Sequence, residues 1–292
     1  MKVSIIIVNF NGQKYIADCV DSVLRSNFKE FEVVVVENGS SDKSWQLLNK
    51  QYNNNHQVKL IKSKANLFFT GGSNLGAKNA IGSWLVFLNA DTCVEADWLK
   101  ELWSVAKKNT KLLLQPKILM QSTDQIDCVI GKYIWPGYGQ AVGRGHKDHY
   151  QGLVWGDYAN GTCLMINRQW FFKLGGFDER FKHFYEDVDL QLRAKRQGSQ
   201  AVGVMNAKIW HKGSLSFKQN VASEVIGYYY QRNRFLTVIK NFSGIDRCLR
   251  LTVLGLSSLL RPKSILSVRA IFDVIWGRDF LELAKPNLTA KT

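Results

Sequence analysis

Three carboxylates fall within four positions at Glu186-Asp187-Val188-Asp189, directly behind Phe184 and Tyr185. Carboxylates crowded beside aromatics resist ionisation, because each charge opposes the next and burial strips its water. A carboxylate with its pKa raised in this way suits a general base that takes a proton from a hydroxyl. The same residues also read as a solvated acidic turn that pairs with Arg193 and Arg196 at helical spacing.

Four further clusters carry polar chemistry. Leu88-Asn89-Ala90-Asp91-Thr92 ends an apolar run in a carboxylate. Such an oxygen can hold Mg²⁺ or Mn²⁺ against a diphosphate, since these hard cations take oxygen ligands and keep waters and phosphates as the rest. Asp91 or Thr92 serves equally as a helix cap before Glu95. His211, in Trp210-His211-Lys212-Gly213-Ser214, gains interest as a second protein ligand for that metal. Glu37-Asn38-Gly39-Ser40-Ser41-Asp42 puts an acid at a strand end before a glycine turn, which suits a base or ribose contact; Ser41 or Asp42 is also a plain N-cap. Asn66-Leu67-Phe68-Phe69-Thr70-Gly71-Gly72-Ser73-Asn74 reads as a Gly-rich turn running into a helix, able to bring N–H groups to an anion or simply to turn tightly. It is neither a P-loop nor a dinucleotide fingerprint.

These clusters need elements to hold them. Val3 to Val8, Phe31 to Val36, Val58 to Ile61 and Trp84 to Leu88 are apolar runs of the kind buried on both faces of a sheet. Helical stretches separate them: Gln13 to Ser26, Asp42 to Gln51, Ser73 to Ile81 and Glu95 to Lys108. Alternation of strand and helix predicts an α/β fold with a mostly parallel sheet flanked by helices. Ligands bind such sheets at the carboxyl ends of the strands, where Asn9, Glu37 and Asn89 stand. Gln121 to Asp157 lacks a clean period and reads as loop-rich. Asp157 to Asn167 reads as a strand, Arg168 to Leu174 as a short helix, His183 to Gln197 as a helix carrying the carboxylates, and Val202 to Met205 as a strand.

The 292-residue chain is 46% hydrophobic and 22% charged, ordinary for a globular protein with a large core. Its formal net charge of +15 favours anionic partners. Five dispersed cysteines indicate a reduced chain without a disulfide framework, and the apolar run at Val3 is too short for a signal peptide. A cytoplasmic location is the expectation. From Gln191 to Lys240 there are nine Lys/Arg and one acid, interleaved with aromatics, and Leu251 to Leu260 is an apolar run bounded by Arg250 and Arg261. Ten residues do not span a bilayer, but basic and apolar helical stretches together fit an interfacial helix on anionic lipid at the inner face of a cell membrane. Packing on the catalytic domain, or a homodimer interface, fits the same stretch. The chain divides into residues 1–218 and a helical, basic extension at 219–292.

In this order, the clusters resemble glycosyltransferase family 2, with the GT-A fold, over roughly Val3 to Ser216. The resemblance implies a nucleoside diphospho-sugar donor, dTDP- or UDP-linked, bound by Asn9, Glu37, Asn38, Asp42, Gly71, Gly72, Asn74, Asn89 and Asp91. It implies Mg²⁺ or Mn²⁺ on Asp91 and His211, Asp187 as general base assisted by Glu186, and Tyr185 and Asp189 toward the acceptor. The reaction implied is inverting transfer to a lipid-linked or saccharide hydroxyl. The Asn-Leu-x-Phe-x-Gly-Gly-x-Asn stretch, Asn89-Ala90-Asp91 and Tyr230-Gln231-Arg232-Asn233 resemble the rhamnosyltransferase-like branch of cell-surface polysaccharide enzymes. Glu37 stands where the family usually has Asp, and Asn89 replaces the first acid of Asp-x-Asp. Nucleic-acid binding would also answer the charge, but no recognisable motif for it is present. A nucleotidyltransferase would carry a basic Gly-rich signature after the first strand, where Asn9-Phe10-Asn11-Gly12 has none. A non-catalytic scaffold in a glycan assembly complex is the remaining alternative.

Overall fold

The computed structural model describes residues 1–213, 223–259, 269–270 and 273–274. Strands β1 (Val3–Asn9), β2 (Phe31–Asn38), β3 (Val58–Ser63) and β4 (Trp84–Asn89) are parallel, in the order β3-β2-β1-β4. Helices α1 (Ile16–Leu24), α2 (Ser44–Tyr52) and α3 (Phe68–Asn79) connect them. The apolar runs are continuous because both faces are covered. Ile5, Ile7, Val33 and Val35 pack with Ile16, Val20 and Leu48 on one side. Ile6, Val34, Leu85 and Phe87 meet Ala77, Phe171 and Leu190 on the other. Burial of each such side chain contributes about 1.5–3 kcal/mol.

The sheet continues through β11 (Cys163–Asn167), antiparallel between β4 and β6 (Leu112–Met120), then β12 (Gln200–His211), parallel to β6, and β10 (Leu153–Gly156) at the edge; the short β5 (Thr92–Val94) also pairs with β12. The sequence reading passes over β6, a fully internal strand interrupted by Pro116. Proline cannot donate to a ladder, and the structure accommodates it at a bulge: the register with β12 jumps between Val204 and Lys208, opposite Pro116 and Lys117. The same jump lets β12 run well past the expected Val202–Met205, to His211.

Three expectations change. The stretch 121–157 is not simply loop: it holds β7 (Ile126–Cys128), β8 (Gly131–Ile134), β9 (Tyr138–Ala141) and β10. These strands are too short for period-two alternation to show. The strand expected from Asp157 begins only at Cys163. The Gly-rich turn is not a turn, since α3 starts at Phe68 and contains Gly71, Gly72 and Gly76. A Cβ at Gly72 would lie 2.7 Å from Val8 Cγ1, and one at Gly76 2.4 Å from Ile6 Cγ2. These glycines let α3 lie directly on β1.

Helix α4 (Trp98–Ala106) flanks the sheet on the side of α1; α5 (Arg168–Lys173) and α6 (Glu186–Lys195) flank the opposite side with α3. Helix α7 (Ser223–Asn241) packs against α6, and α8 (Gly244–Leu259) against α7 through Phe235, Val238 and Leu254. The expected boundary at 218/219, the end of the matched stretch at Ser214 to Ser216, and Leu260 and Arg261 lie outside the described residues. Among the described residues no helix is long and apolar enough to cross a membrane.

Candidate active site

A cavity of ≈ 350 Å³ opens where the carboxyl ends of β1, β2 and β4 meet the start of β11 and the end of β12. Val8, Asn38, Asn89, Thr162 and His211 come from those ends, and Glu186 and Asp187 from the first turn of α6. The helix places both acids at its N-terminus, where the backbone dipole favours negative charge. Asp187 Oδ2 accepts from Gly161 N–H at 2.8 Å and its Oδ1 from Val188 N–H at 2.7 Å. Burial pushes its carboxyl up to about 6, against the pull of those N–H groups. Glu186 is raised well above the carboxylate range, by burial first and by the charge of Asp187 second, and its Oε2 has no hydrogen-bond partner among the described residues. The environments thus push two neighbouring carboxyls apart. The upward push is the stronger on Glu186, and Asp187 also keeps two backbone N–H donors that favour its charged form.

Beside them lies a second pair. Asp91 and His211 are 1% and 5% exposed, and His211 Nε2 is 3.4 Å from Asp91 Oδ1. On the far side of the ring, Nδ1 is 2.8 Å from Asp127 Oδ2. Burial pulls the imidazole pKa down, but the hydrogen bonds and charges of Asp127 and Asp91 outweigh it and push the ring up to about 9. The place therefore favours positive charge. A divalent cation would take over the Nε2 proton's position, with Asp127 fixing the tautomer from behind. One oxygen and one nitrogen fit Mg²⁺ or Mn²⁺, which leave their remaining positions to water and phosphate; among the described residues no cluster of three side-chain ligands exists.

The other expected residues divide. Asn38 and Asn89 line the cavity. Asn38 also ties β2 to α3, accepting from Leu67 N–H at 2.9 Å and donating to Phe68 O at 3.1 Å. Asn9 and Glu37 are buried register partners, joined at 2.6 Å from Asn9 Nδ2 to Glu37 Oε2. Glu37 Oε1 receives Ser40 N–H at 3.0 Å, so the pair first holds two loops together. Asp42 accepts from Ser44 N–H and Gln13 N–H, both at 3.0 Å, and secures the start of α2 as the simpler reading has it.

Three expectations are corrected. Gly71 and Gly72 present no free anion cradle: they lie inside α3, whose leading N–H groups are taken by Asn66 Oδ1 (on Phe68 N) and Lys182 O (on Thr70 N). Asn74 faces Phe177 and Glu179, donating to Phe177 O at 2.8 Å and accepting from its N–H at 3.0 Å, so it clamps a loop rather than a donor. Asp189 is fully buried away from the cavity, held by Arg193 and Lys240 at 2.8 Å and by Asn241 at 2.8 Å. It is an ionic anchor between α6 and α7, not an acceptor contact. Tyr185 does line the cavity, but its hydroxyl is engaged by Gly139 N–H at 3.1 Å and Arg234 Nε at 3.3 Å.

Sequence reasoning missed Asp127, Gly161 and Arg144. Asp127 carries a readable signal, an acid inside the apolar run Ile126 to Ile130. Gly161 does not: its role depends on Glu186 Oε1, which a Cβ there would approach to 3.0 Å. Arg144 lines the cavity and pairs with Asp127 at 3.3 Å.

The model of the family described as "Glycosyl transferase family 2" matches residues 4–172. The O-antigen biosynthesis protein RfbC of Myxococcus xanthus is 30% identical over 76% of this chain, which spans only 18% of that protein's length. The low-salt glycan biosynthesis hexosyltransferase Agl10 of Haloferax volcanii is 26% identical, over 84% of this chain and 78% of its own. Among solved structures, GalNAc-T7 with UDP, GalNAc and Mn²⁺ aligns with a TM-score of 0.68 at 19% identity, over 82% of this chain and 47% of that one. Staphylococcus aureus TarS 1–349 with UDP-GlcNAc aligns at 0.64 and 17%, over 96% and 82%. At such identities the two structures show a shared fold.

Proposed function

The chain belongs to glycosyl transferase family 2, and from that premise we propose that it moves a sugar from a nucleoside diphosphate to an acceptor hydroxyl with inversion. The observation that carries this reading is one cavity, at the strand ends, walled by the Glu186–Asp187 pair and by His211 beside Asp91. Asp187, ionised near neutrality, accepts the acceptor's O–H proton. The freed oxygen forms its bond to the anomeric carbon from the face opposite the bond to phosphate. That bond breaks, and the nucleoside diphosphate departs. A single displacement of this kind inverts configuration.

Glu186, whose carboxyl burial pushes upward and whose Oε2 has no partner among the described residues, is placed to hydrogen-bond the acceptor. Asp91 and His211 would hold Mg²⁺ or Mn²⁺, which supplies charge stabilisation to the leaving diphosphate. Arg144, the sole Lys or Arg among the cavity-lining residues described, adds a positive charge to that side. The printed names of the relatives, an O-antigen protein and a glycan hexosyltransferase, support a role in surface glycan synthesis. The structural neighbours' ligands support a UDP- or dTDP-linked donor, rhamnose included on the sequence resemblance. An acceptor on lipid is supported by α8, whose Ile245, Leu249 and Leu256 are exposed along one face, as on an interfacial helix.

The test is a thermal-shift panel of UDP- and dTDP-sugars with and without Mn²⁺, on wild type and Asp91→Ala, followed by transfer assays with the donor found. A donor at a hundredfold excess over its Kd stabilises by about 2.7 kcal/mol. Metal-dependent stabilisation that Asp91→Ala abolishes is the expected result; the same shift in both proteins removes Asp91 from the site.

A further inference from the structure

The loop that delivers the two acids is strained. Lys182, Phe184 and Tyr185 have φ of 60°, 66° and 68°, in the left-handed region that is costly for a bulky L-residue. Such a conformation persists only where its surroundings over-determine it. Here the surroundings are three consecutive residues of α7, some fifty positions later in the chain. Asn233 Nδ2 points at the carbonyls of Phe181, His183 and Phe184, at 2.7, 2.5 and 2.9 Å. Arg232 Nη1 donates to Arg180 O at 2.7 Å and to Asn233 Oδ1 at 2.8 Å. The second bond fixes which way the amide faces: with its oxygen on a guanidinium, its NH₂ must meet the loop. Arg234 Nε reaches the hydroxyl of Tyr185, the residue immediately before Glu186. Asn233 is fully buried and Arg232 and Arg234 are nearly so.

We infer that Asn233, oriented by Arg232, is a positioning residue for the general base: it holds the loop 181–185 in the one conformation that aims Asp187 into the cavity. The inference rests on the reading of Asp187 as base. The two protons of one amide are shared among three carbonyls of the loop, and Phe181 O also accepts from His183 N–H at 2.6 Å, so losing the amide loosens the turn at the point where these carbonyls converge. The loop would then relax toward ordinary dihedrals, turning the first residues of α6 away from Gly161. Helix α7 is on this account part of the catalytic unit rather than an appendage. It also supplies Tyr230, stacked on Phe184 with ring centroids 4.1 Å apart.

The experiment uses the full chain and the donor that the thermal-shift panel selects, reading nucleoside diphosphate release with water as acceptor, across pH. Asn233→Asp is nearly isosteric but cannot donate to the three carbonyls; Arg232→Met keeps the stem and loses the orienting bond. The expected result for Asn233→Asp is a kcat loss of roughly a hundredfold, with donor KM and the Mn²⁺-dependent thermal shift within about twofold of wild type. Its acidic limb moves to lower pH, because a loosened loop admits water to Asp187 and weakens the burial that raises its pKa. Arg232→Met gives a smaller loss of the same kind. Should Asn233→Asp fail to fold, Arg232→Met decides alone. Should release be too slow to read, amide exchange decides: faster exchange confined to 181–187 supports the inference, and unchanged exchange overturns it. A folded Asn233→Asp with wild-type kcat and pH profile overturns it too. Asp187→Asn is run alongside. If that variant keeps its activity, the base reading itself fails; if it is inactive while Asn233→Asp is normal, only the positioning role fails.

Discussion

The wall of the cavity built by Val3 to Asn89 and the wall built by Gly161 to His211 with α7 are made on different principles. In the first, regular strands and helices repeat, and polar residues at the strand ends hold loops to their immediate neighbours: Asn9 to Glu37, Asn38 to Leu67, Asp42 to Ser44. In the second, a strained loop and a short helix are held by partners about fifty positions away, Asn233 on the carbonyls and Lys240 and Asn241 on Asp189. The first wall presents backbone geometry; the second presents charge in a place that resists it. Substitutions in the second should therefore change chemistry or collapse the fold, and those in the first should change packing by smaller steps.

The largest effect belongs to Asp187→Asn, which removes the proton acceptor while keeping the shape. Sugar transfer should fall ~10²–10⁴-fold. Stability should change far less. The folded pKa of Asp187 lies above its unfolded value, so its contribution favours folding below about pH 4 and is lost as pH rises through about 6. At about pH 8 the ionised carboxylate opposes folding, so its removal stabilises, while the new NH₂ must face the N–H of Gly161 or of Val188, which destabilises; the two offset and the variant should melt near wild type. In the wild type, kcat should decline on the acid side as pH falls through about 6. A large loss of melting temperature in Asp187→Asn would assign the residue to structure and erase the contrast between the two walls.

Asp189→Ala, two positions on, should do the opposite. Its carboxylate is fully buried between Arg193, Lys240 and Asn241. Removing one partner of a buried ionic cluster costs about 3–5 kcal/mol, because the charges left behind keep their desolvation cost. Lys240 retains Asp178, and Arg193 retains the carbonyls of Leu174 and Gly176, which places the expected loss near the lower end. Denaturant unfolding measures it, and activity per folded molecule should stay near wild type. Intact stability with lost activity would return Asp189 to the acceptor site.

These neighbours show what is legible in a sequence. The run Glu186-Asp187-Val188-Asp189 announces a cluster of acids, but nothing local separates the one facing the cavity from the one facing Lys240, because the separation is made by α7. The first four strands are legible because burial on both faces writes itself as uninterrupted Val and Ile. Leu112 to Met120 is not, since Pro116 breaks the pattern and only the bulge opposite Val204 absorbs it. The glycines of α3 read as a turn because glycine signals freedom and close approach alike, and here the close approach to Val8 and Ile6 wins. Asp91 and His211, far apart in the chain, do stand side by side; Asp127, which orients the ring, shows in the sequence only as an acid inside a short apolar run, and its three-residue strand gives no sign of what it faces.

Gly76→Ala probes the first wall at its tightest point. The new Cβ would sit 2.4 Å from Ile6 Cγ2, so α3 must move off β1 or Ile6 must leave its rotamer. Overpacking of this kind costs about 1–3 kcal/mol. Because the start of α3 is tied to Asn38, which lines the cavity, donor affinity should weaken with stability, in a thermal shift measured with nucleotide and Mn²⁺. An unchanged melting temperature would mean that the helix rides on the sheet more loosely than its glycines imply.

Glu37→Gln should have the smallest effect, and the reason lies in its partner. Glu37 is buried, and burial raises its carboxyl, so removing the charge relieves a cost. The substituted amide can still accept from Ser40 N–H through its oxygen, but its NH₂ would face the NH₂ of Asn9. Asn9 Oδ1 has no hydrogen-bond partner among the described residues, so turning the Asn9 amide over presents an acceptor to the new NH₂. One pair of hydrogen bonds is exchanged for another, and stability should stay within about 0.5 kcal/mol, as for changes that break no named interaction. If Glu37 serves only the loops, donor affinity should change less than about threefold. A loss of affinity of about tenfold in a variant with wild-type melting would show that the carboxylate itself touches the nucleotide, and that the first wall, too, carries chemistry in its charges.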